Sequence, residues 1–136
     1  MRRQEIDRMI SPIRVVAAVI AREDRLLVCQ RPLHKRHGGL WEFPGGKSEA
    51  GESDEAAVRR ELLEELAVEA VAVGGELAIF ADEGSEFAIA FLPVEIAGEP
   101  KALEHNAIRW ATPSELLQMP LAPSDRRFVQ QVIEAQ

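Results

Sequence analysis

A chain of 136 residues with 46% hydrophobic content can build one domain around a proper core, and its net charge of −7 argues against broad binding to nucleic acid, which needs a basic surface. No apolar run reaches the roughly 20 residues that span a bilayer, and the basic start Met1-Arg2-Arg3 lacks the apolar stretch of a secretory signal. Cys29 is the single cysteine, so no internal disulfide can form, which suits a reducing, cytoplasmic setting.

We read 1–136 as one domain, with residues 1–11 as a candidate flexible arm that could instead pack on a second copy of the chain. Residues 13–21 and 25–30 are apolar and β-branched, with Arg22-Glu23-Asp24 between them as a hairpin turn. Residues 31–40 form a polar loop carrying Arg31, His34, Lys35, Arg36 and His37. Trp41-Glu42-Phe43 follows as a short extended piece, and Pro44-Gly45-Gly46 reads as a turn. A helix then starts at Ser53 as N-cap, with Asp54 and Glu55 complementing its dipole and Val58, Leu62 and Leu66 as its buried stripe.

Residues 70–81 and 87–96 read as two strands joined by Asp82-Glu83-Gly84-Ser85, and residues 107–111 as a last short strand. Thr112-Pro113-Ser114-Glu115 is a capping box opening a short helix, and residues 124–134 form a terminal helix with Phe128, Val129 and Ile133 on its apolar side. Strands, helix, strands, helix is the order of an α/β protein with a mixed sheet covered by helices on both faces.

The acidic residues are concentrated. Glu61, Glu64 and Glu65 fall within roughly 100° of one helical face. Like charges so spaced cost roughly 0.2–0.5 kcal/mol per pair, and a hard divalent cation reverses that sign. An isolated acidic face would be ordinary solvated surface, so the spacing around it decides the matter. Gly46, five residues, Glu52, seven residues, then Arg60-Glu61-Leu62-x-Glu64-Glu65-x-x-Val68 fixes eight positions across twenty-three residues.

That pattern resembles the Nudix box, and the likeness extends to Gln30-Arg31, to Leu40-Trp41-Glu42-Phe43-Pro44-Gly45-Gly46-Lys47 and to Gly98-Glu99-Pro100 with Glu104-His105 and Trp110. The resemblance is to the MutT-like members and implies an α/β/α sandwich. The implied activity is Mg²⁺-dependent hydrolysis of nucleoside triphosphates to monophosphate and pyrophosphate, with Mn²⁺ as a substitute. It further implies the clearance of oxidised or modified nucleotides such as 8-oxo-dGTP. CTP, dCTP or 5-methyl-dCTP hydrolysis, or nucleotide binding without cleavage, are the alternatives. The implied partner is the triphosphate itself, with neither a nucleic-acid polymer nor a membrane.

By the same resemblance Glu61 is the base, Glu64 and Glu65 are metal ligands, and the carbonyl of Gly45 joins them. Glu61 could instead bind a metal-linked water, and Glu104 is a further ligand or alternative base. Arg31 would contact phosphates. Phe43 could line a slot for the base, and Asp125, in a segment resembling the base-reading part of cytidine-triphosphate enzymes, could accept from an exocyclic amine. Gly46, Glu52 and Arg60 support the box, with Glu52 folded back on Arg60. The family carries glycine where this chain has Ala67; a left-handed alanine there would cost roughly 1–2 kcal/mol.

Overall fold

Strand β1 (Ile13–Val19) alternates between two cores: Val16 and Ala18 point into one, Ala17 and Val19 into the other. Two-residue periodicity with apolar residues on both faces is what a strand covered on both sides requires. The computed structural model describes residue 2 and residues 12–81 and 84–134; the 1–11 arm, residue 2 apart, and Asp82-Glu83 of the predicted loop lie outside the described residues.

After β1 come β2 (Ala21–Arg22), β3 (Arg25–Gln30), β4 (Trp41–Glu42) and β5 (Gly45–Lys47), then helix α1 (Asp54–Leu66). They are followed by β6 (Glu69–Val73), β7 (Ala78–Phe80), β8 (Phe87–Ala97), β9 (Ala107–Ala111), α2 (Pro113–Gln118) and α3 (Pro123–Phe128). One mixed sheet places β1 between antiparallel β5 and parallel β8, with β6 and β7 both on β8; a second pairs β3 with β2, β4 and β9, all antiparallel. The α1 side is filled by Val58, Leu62 and Leu66 against Val16, Leu27 and Leu92. On the other side Leu116 and Phe128 meet Phe43, Val28 and Phe91. Phe91 stacks on Phe128 at 4.3 Å between centroids, and Phe43 meets both edge-on. The expected sandwich is present.

Three element predictions need correction. Residues 70–81 are two strands: Val73 pairs with Val94 and Ala78 with Phe91, so residues 74–77 span only Leu92 and Pro93 of the partner strand and leave the regular ladder. The strand β8 is long enough to accept both pieces, β7 at residues 89–91 and β6 at residues 94–97. Pro44-Gly45-Gly46 is less a turn than an entry into β5: Gly45 pairs with Ala17 and Gly46 with Val16. The terminal helix begins at Pro123, one residue early, and from Val129 to Ile133 it widens into a π-helical turn.

The ends of α1 behave as capping chemistry dictates. Ser53 Oγ accepts from the Ala56 N–H at 3.1 Å, and Arg14 clasps Asp54 with two 2.8 Å hydrogen bonds. The helix stops at Ala67, which is left-handed (φ 56°, ψ 36°), so the backbone cost anticipated for alanine is incurred. The capping box of α2 forms in both directions, Glu115 N–H to Thr112 Oγ1 and Thr112 N–H to Glu115 carboxylate. No helix among the described residues is long and apolar enough to cross a membrane.

Candidate active site

A cleft of about 160 Å³ opens where the two sheets and α1 meet, lined by Arg31, Lys35, Glu42, Glu61, Glu65, Glu104, His105 and the Gly45 backbone. It is smaller than the roughly 300 Å³ at which small-molecule pockets begin. Its walls are nearly all polar: four carboxylates stand opposite the basic loop.

Glu65 projects from the buried side of α1 and is 5% exposed. Burial, then a hydrogen bond and like charge from Glu61 and the charges of Glu104 and Glu42, push its carboxyl up to about 10. Its Oε2 is buried with no hydrogen-bond partner. Glu61, one turn earlier, is fixed differently: Arg60 Nη1 donates to Glu61 Oε1 at 2.8 Å, and the Gly46 Cα faces its carboxyl group. A Cβ at Gly46 would lie 2.6 Å from Glu61 Cδ and from each of its oxygens, so the glycine is required for that approach.

Arg60 organises the box. Its guanidinium donates to Glu52 twice at 2.9 Å, to Glu61, and to the Lys47 carbonyl at 3.0 Å. Glu52, held by Arg60 and by the Glu49 N–H, has its carboxyl lowered to about 2. The predicted fold-back of Glu52 onto Arg60 is therefore the arrangement found. Glu64 lies 3.5 Å from Arg60 Nη1, half exposed and outside the cleft lining.

Arg31 reaches into the cleft with Nη1 3.3 Å from Glu42 Oε1, while its Nε donates to the Arg36 carbonyl. Of the basic residues in that loop, Arg31 and Lys35 line the cleft. Phe43 is 3% exposed and belongs to the core; its N–H donates to Asp125 Oδ2 at 2.9 Å, and Asp125 is itself buried. Phe43 and Asp125 are thus joined by a hydrogen bond, and neither lines the cleft.

Two lining residues were given no catalytic role from sequence. Glu42 pairs across the ladder with Cys29, and opposite residues on neighbouring strands share a face. Cys29 faces α1, so Glu42 does too, between Arg31 and the helix. His105, noted only as part of the distal segment, is almost fully buried beside Glu42. The alternation Trp41-Glu42-Phe43 was the available signal for Glu42.

Among the described residues no three His, Cys, Asp or Glu side chains form a ready-made cage for a metal. The donor set nevertheless fits a hard cation. Glu42, Glu61, Glu65 and Glu104 crowd one cleft, and a buried carboxylate oxygen there has no donor. Mg²⁺ keeps several waters and phosphate oxygens among its ligands and does not need an all-protein cage.

Fold and site together define a hydrolase of phosphoanhydride bonds. The NUDIX domain model matches residues 11–132, and the chain belongs to that family. It is 46% identical over 116 residues to the CTP pyrophosphohydrolase of Escherichia coli (strain K12), covering 83% of this chain and 85% of that one. It is 43% identical over 58 residues to the 8-oxo-dGTP diphosphatase of Proteus vulgaris, covering 42% and 52%. The crystal structure of MutT NUDIX hydrolase from Burkholderia pseudomallei superposes with a TM-score of 0.77 at 29% identity, over 90% of this chain and 98% of that one.

Proposed function

We propose that this protein is a Mg²⁺-dependent pyrophosphohydrolase that cleaves nucleoside triphosphates to the monophosphate and pyrophosphate. The observation that carries this reading is the cleft itself, in which Glu42, Glu61, Glu65 and Glu104 oppose Arg31 and Lys35. Phosphoanhydride hydrolysis needs charge neutralised on the phosphates, an aligned water and a base. The cleft's size suits the phosphate end of a nucleotide, with the base seated beyond it.

Glu61, Glu65 and the Gly45 carbonyl would hold the cation, with Glu104 as a further ligand and Glu64 reaching it only by turning inward from the cleft's outer edge. A bound Mg²⁺ would supply charge neutralisation on the phosphates and a more acidic water. Glu61 accepts the proton of the attacking water; its carboxylate is held for this by Arg60. Arg31 binds phosphate oxygens through its guanidinium, which Glu42 holds in the cleft. Lys35 adds a mobile point charge to the same wall.

For the base, we place CTP and dCTP first, because the likeness to a CTP pyrophosphohydrolase has the higher identity, 46%. The second reading, 8-oxo-dGTP, draws on a likeness of the same extent to a putative 8-oxo-dGTP diphosphatase of Mycobacterium tuberculosis, 38% identical over 85% of this chain and 84% of that one. Either activity would cleanse the nucleotide pool. Pyrophosphate release from CTP, dCTP, 5-methyl-dCTP, 8-oxo-dGTP and dGTP, with Mg²⁺ and with EDTA, is the test. Metal-dependent release from one or two of them is expected, and silence across the panel refutes the reading.

A further inference from the structure

His105 sits in the loop between β8 and β9 with its side chain only 6% exposed. Its Nε2 lies 3.3 Å from Glu42 Oε2 and 3.5 Å from Glu65 Oε1. Nε2 is within hydrogen-bonding distance of Glu42, and the Glu65 carboxyl lies beside the same nitrogen. Nδ1 is buried with no partner, so these two carboxylates are the ring's polar neighbours.

The backbone around His105 is stapled on two sides. Lys101 N–H donates to the Leu66 carbonyl at 2.9 Å and Leu103 N–H to the Glu65 carbonyl at 3.1 Å. Asn106 N–H donates to the Gln30 carbonyl at 2.9 Å, and its side-chain amide to Gln30 Oε1 at 2.7 Å. The loop therefore joins the end of α1 to the end of β3, and the imidazole is inserted at the join. Glu42 also receives Arg31 Nη1. A row Arg31, Glu42, His105, Glu65 crosses the cleft from its basic wall to its acidic helix.

We propose that His105 is a positioning residue: its buried imidazole, hydrogen-bonded to Glu42 and packed against the Glu65 carboxyl, fixes both carboxyl groups. It thereby sets divalent-cation affinity through Glu65 and phosphate affinity through Glu42 and Arg31. This rests on the hydrolase reading above. Without the ring, a void opens between Glu42 and Glu65, and each can rotate away.

The test is a calorimetric titration of the full purified chain with Mn²⁺, alongside kcat and KM for the best triphosphate. Replacing a hydrogen-bond partner of a metal ligand typically weakens metal binding by roughly 10–100-fold. His105→Ala is expected to lose about tenfold or more in Mn²⁺ affinity by that measure, with lower kcat and raised KM. His105→Gln, whose amide N–H reaches much the same point, should recover most of both. If the alanine variant does not fold, His105→Leu, which fills the space without a donor, takes its place. Wild-type Mn²⁺ affinity in the donor-free variant overturns the proposal, as does a glutamine variant no better than alanine. A wild-type chain that binds Mn²⁺ but cleaves no triphosphate sinks the proposed reaction, while the His105 assignment is still judged by the titration.

Discussion

Replacing Ala67 by glycine should stabilise the protein without touching its chemistry. Ala67 closes α1 at φ 56° and ψ 36°, and its N–H donates to the Leu62 and Leu63 carbonyls. An L-residue with a Cβ pays roughly 1–2 kcal/mol in that conformation, whereas glycine pays almost nothing. Glycine also makes the unfolded chain freer, which returns roughly 0.4–1 kcal/mol of the gain. The net expectation is a stabilisation of about 0.5–1 kcal/mol. For a domain of this size that raises Tm by roughly 2–4 °C. Urea melts should show a higher midpoint at unchanged slope, since the exposed surface is the same in both proteins. Hydrolysis should not change, because Ala67 is exposed and outside the cleft lining. A valine at the same place should do the opposite. An unchanged or lowered midpoint in Ala67→Gly would show that the helix does not end in a left-handed residue.

Gly46→Ala is the complementary case: its Cβ would collide with the Glu61 carboxyl at 2.6 Å, so hydrolysis should fall by roughly 10²-fold while thermal stability changes little. Glu65→Gln should abolish metal-dependent turnover yet stabilise the metal-free fold. The folded-state carboxyl titrates near 10, so the wild type loses stability as pH rises from the unfolded value toward 10, and the Gln variant does not. In Tm against pH the two curves should converge near pH 4 and separate toward pH 9; parallel curves would deny the buried like charge. Glu52 has the reverse sign: its carboxyl is lowered to about 2, so its contribution is present above the unfolded value and lost as pH falls toward 2. Glu52→Gln should therefore blunt the acid limb of that curve. Asp125→Ala leaves the Phe43 N–H without this acceptor and should cost about 1–3 kcal/mol, read by urea denaturation; an unaltered order of triphosphate preference would confine Asp125 to that packing task.

What could be seen in the sequence follows from how local each feature is. The α1 helix was legible at both ends because its cap, its first-turn acids and its 3.6-residue stripe lie within one short window. Residues 70–81 carry a local sign of their break, Gly74-Gly75-Glu76 between two apolar runs. What no window along the chain contains is the register: both runs pair with the one long strand β8, and residues 74–77 stand opposite only Leu92 and Pro93. Gly45 and Gly46 were recognised as glycines with a purpose, but the purpose is close passage against Val16 and Glu61 rather than reversal of the chain. Phe43 and Asp125 illustrate the same limit. Each is a candidate contact for a base when considered alone, and the hydrogen bond that joins them across 82 residues of sequence is visible only in the fold.

The box motif lists the carboxylates but not what restrains them, and that division has a physical origin. Glu61 and Glu65 are placed by α1, whose apolar stripe anchors one face in the core. Crowding them on one helical face costs folding energy, so groups from elsewhere must hold their orientations. Arg60 does so on the outer side, through Glu52, Glu61 and Lys47. On the inner side the job falls to Glu42 and His105, from a strand and a loop distant in sequence. Outer support is local enough to be part of the motif; inner support is visible only when β3 has paired with β4 and the loop 98–106 has closed on the end of α1. Differences in activity among chains sharing this box should therefore be sought first in the residues that stand where Glu42 and His105 stand.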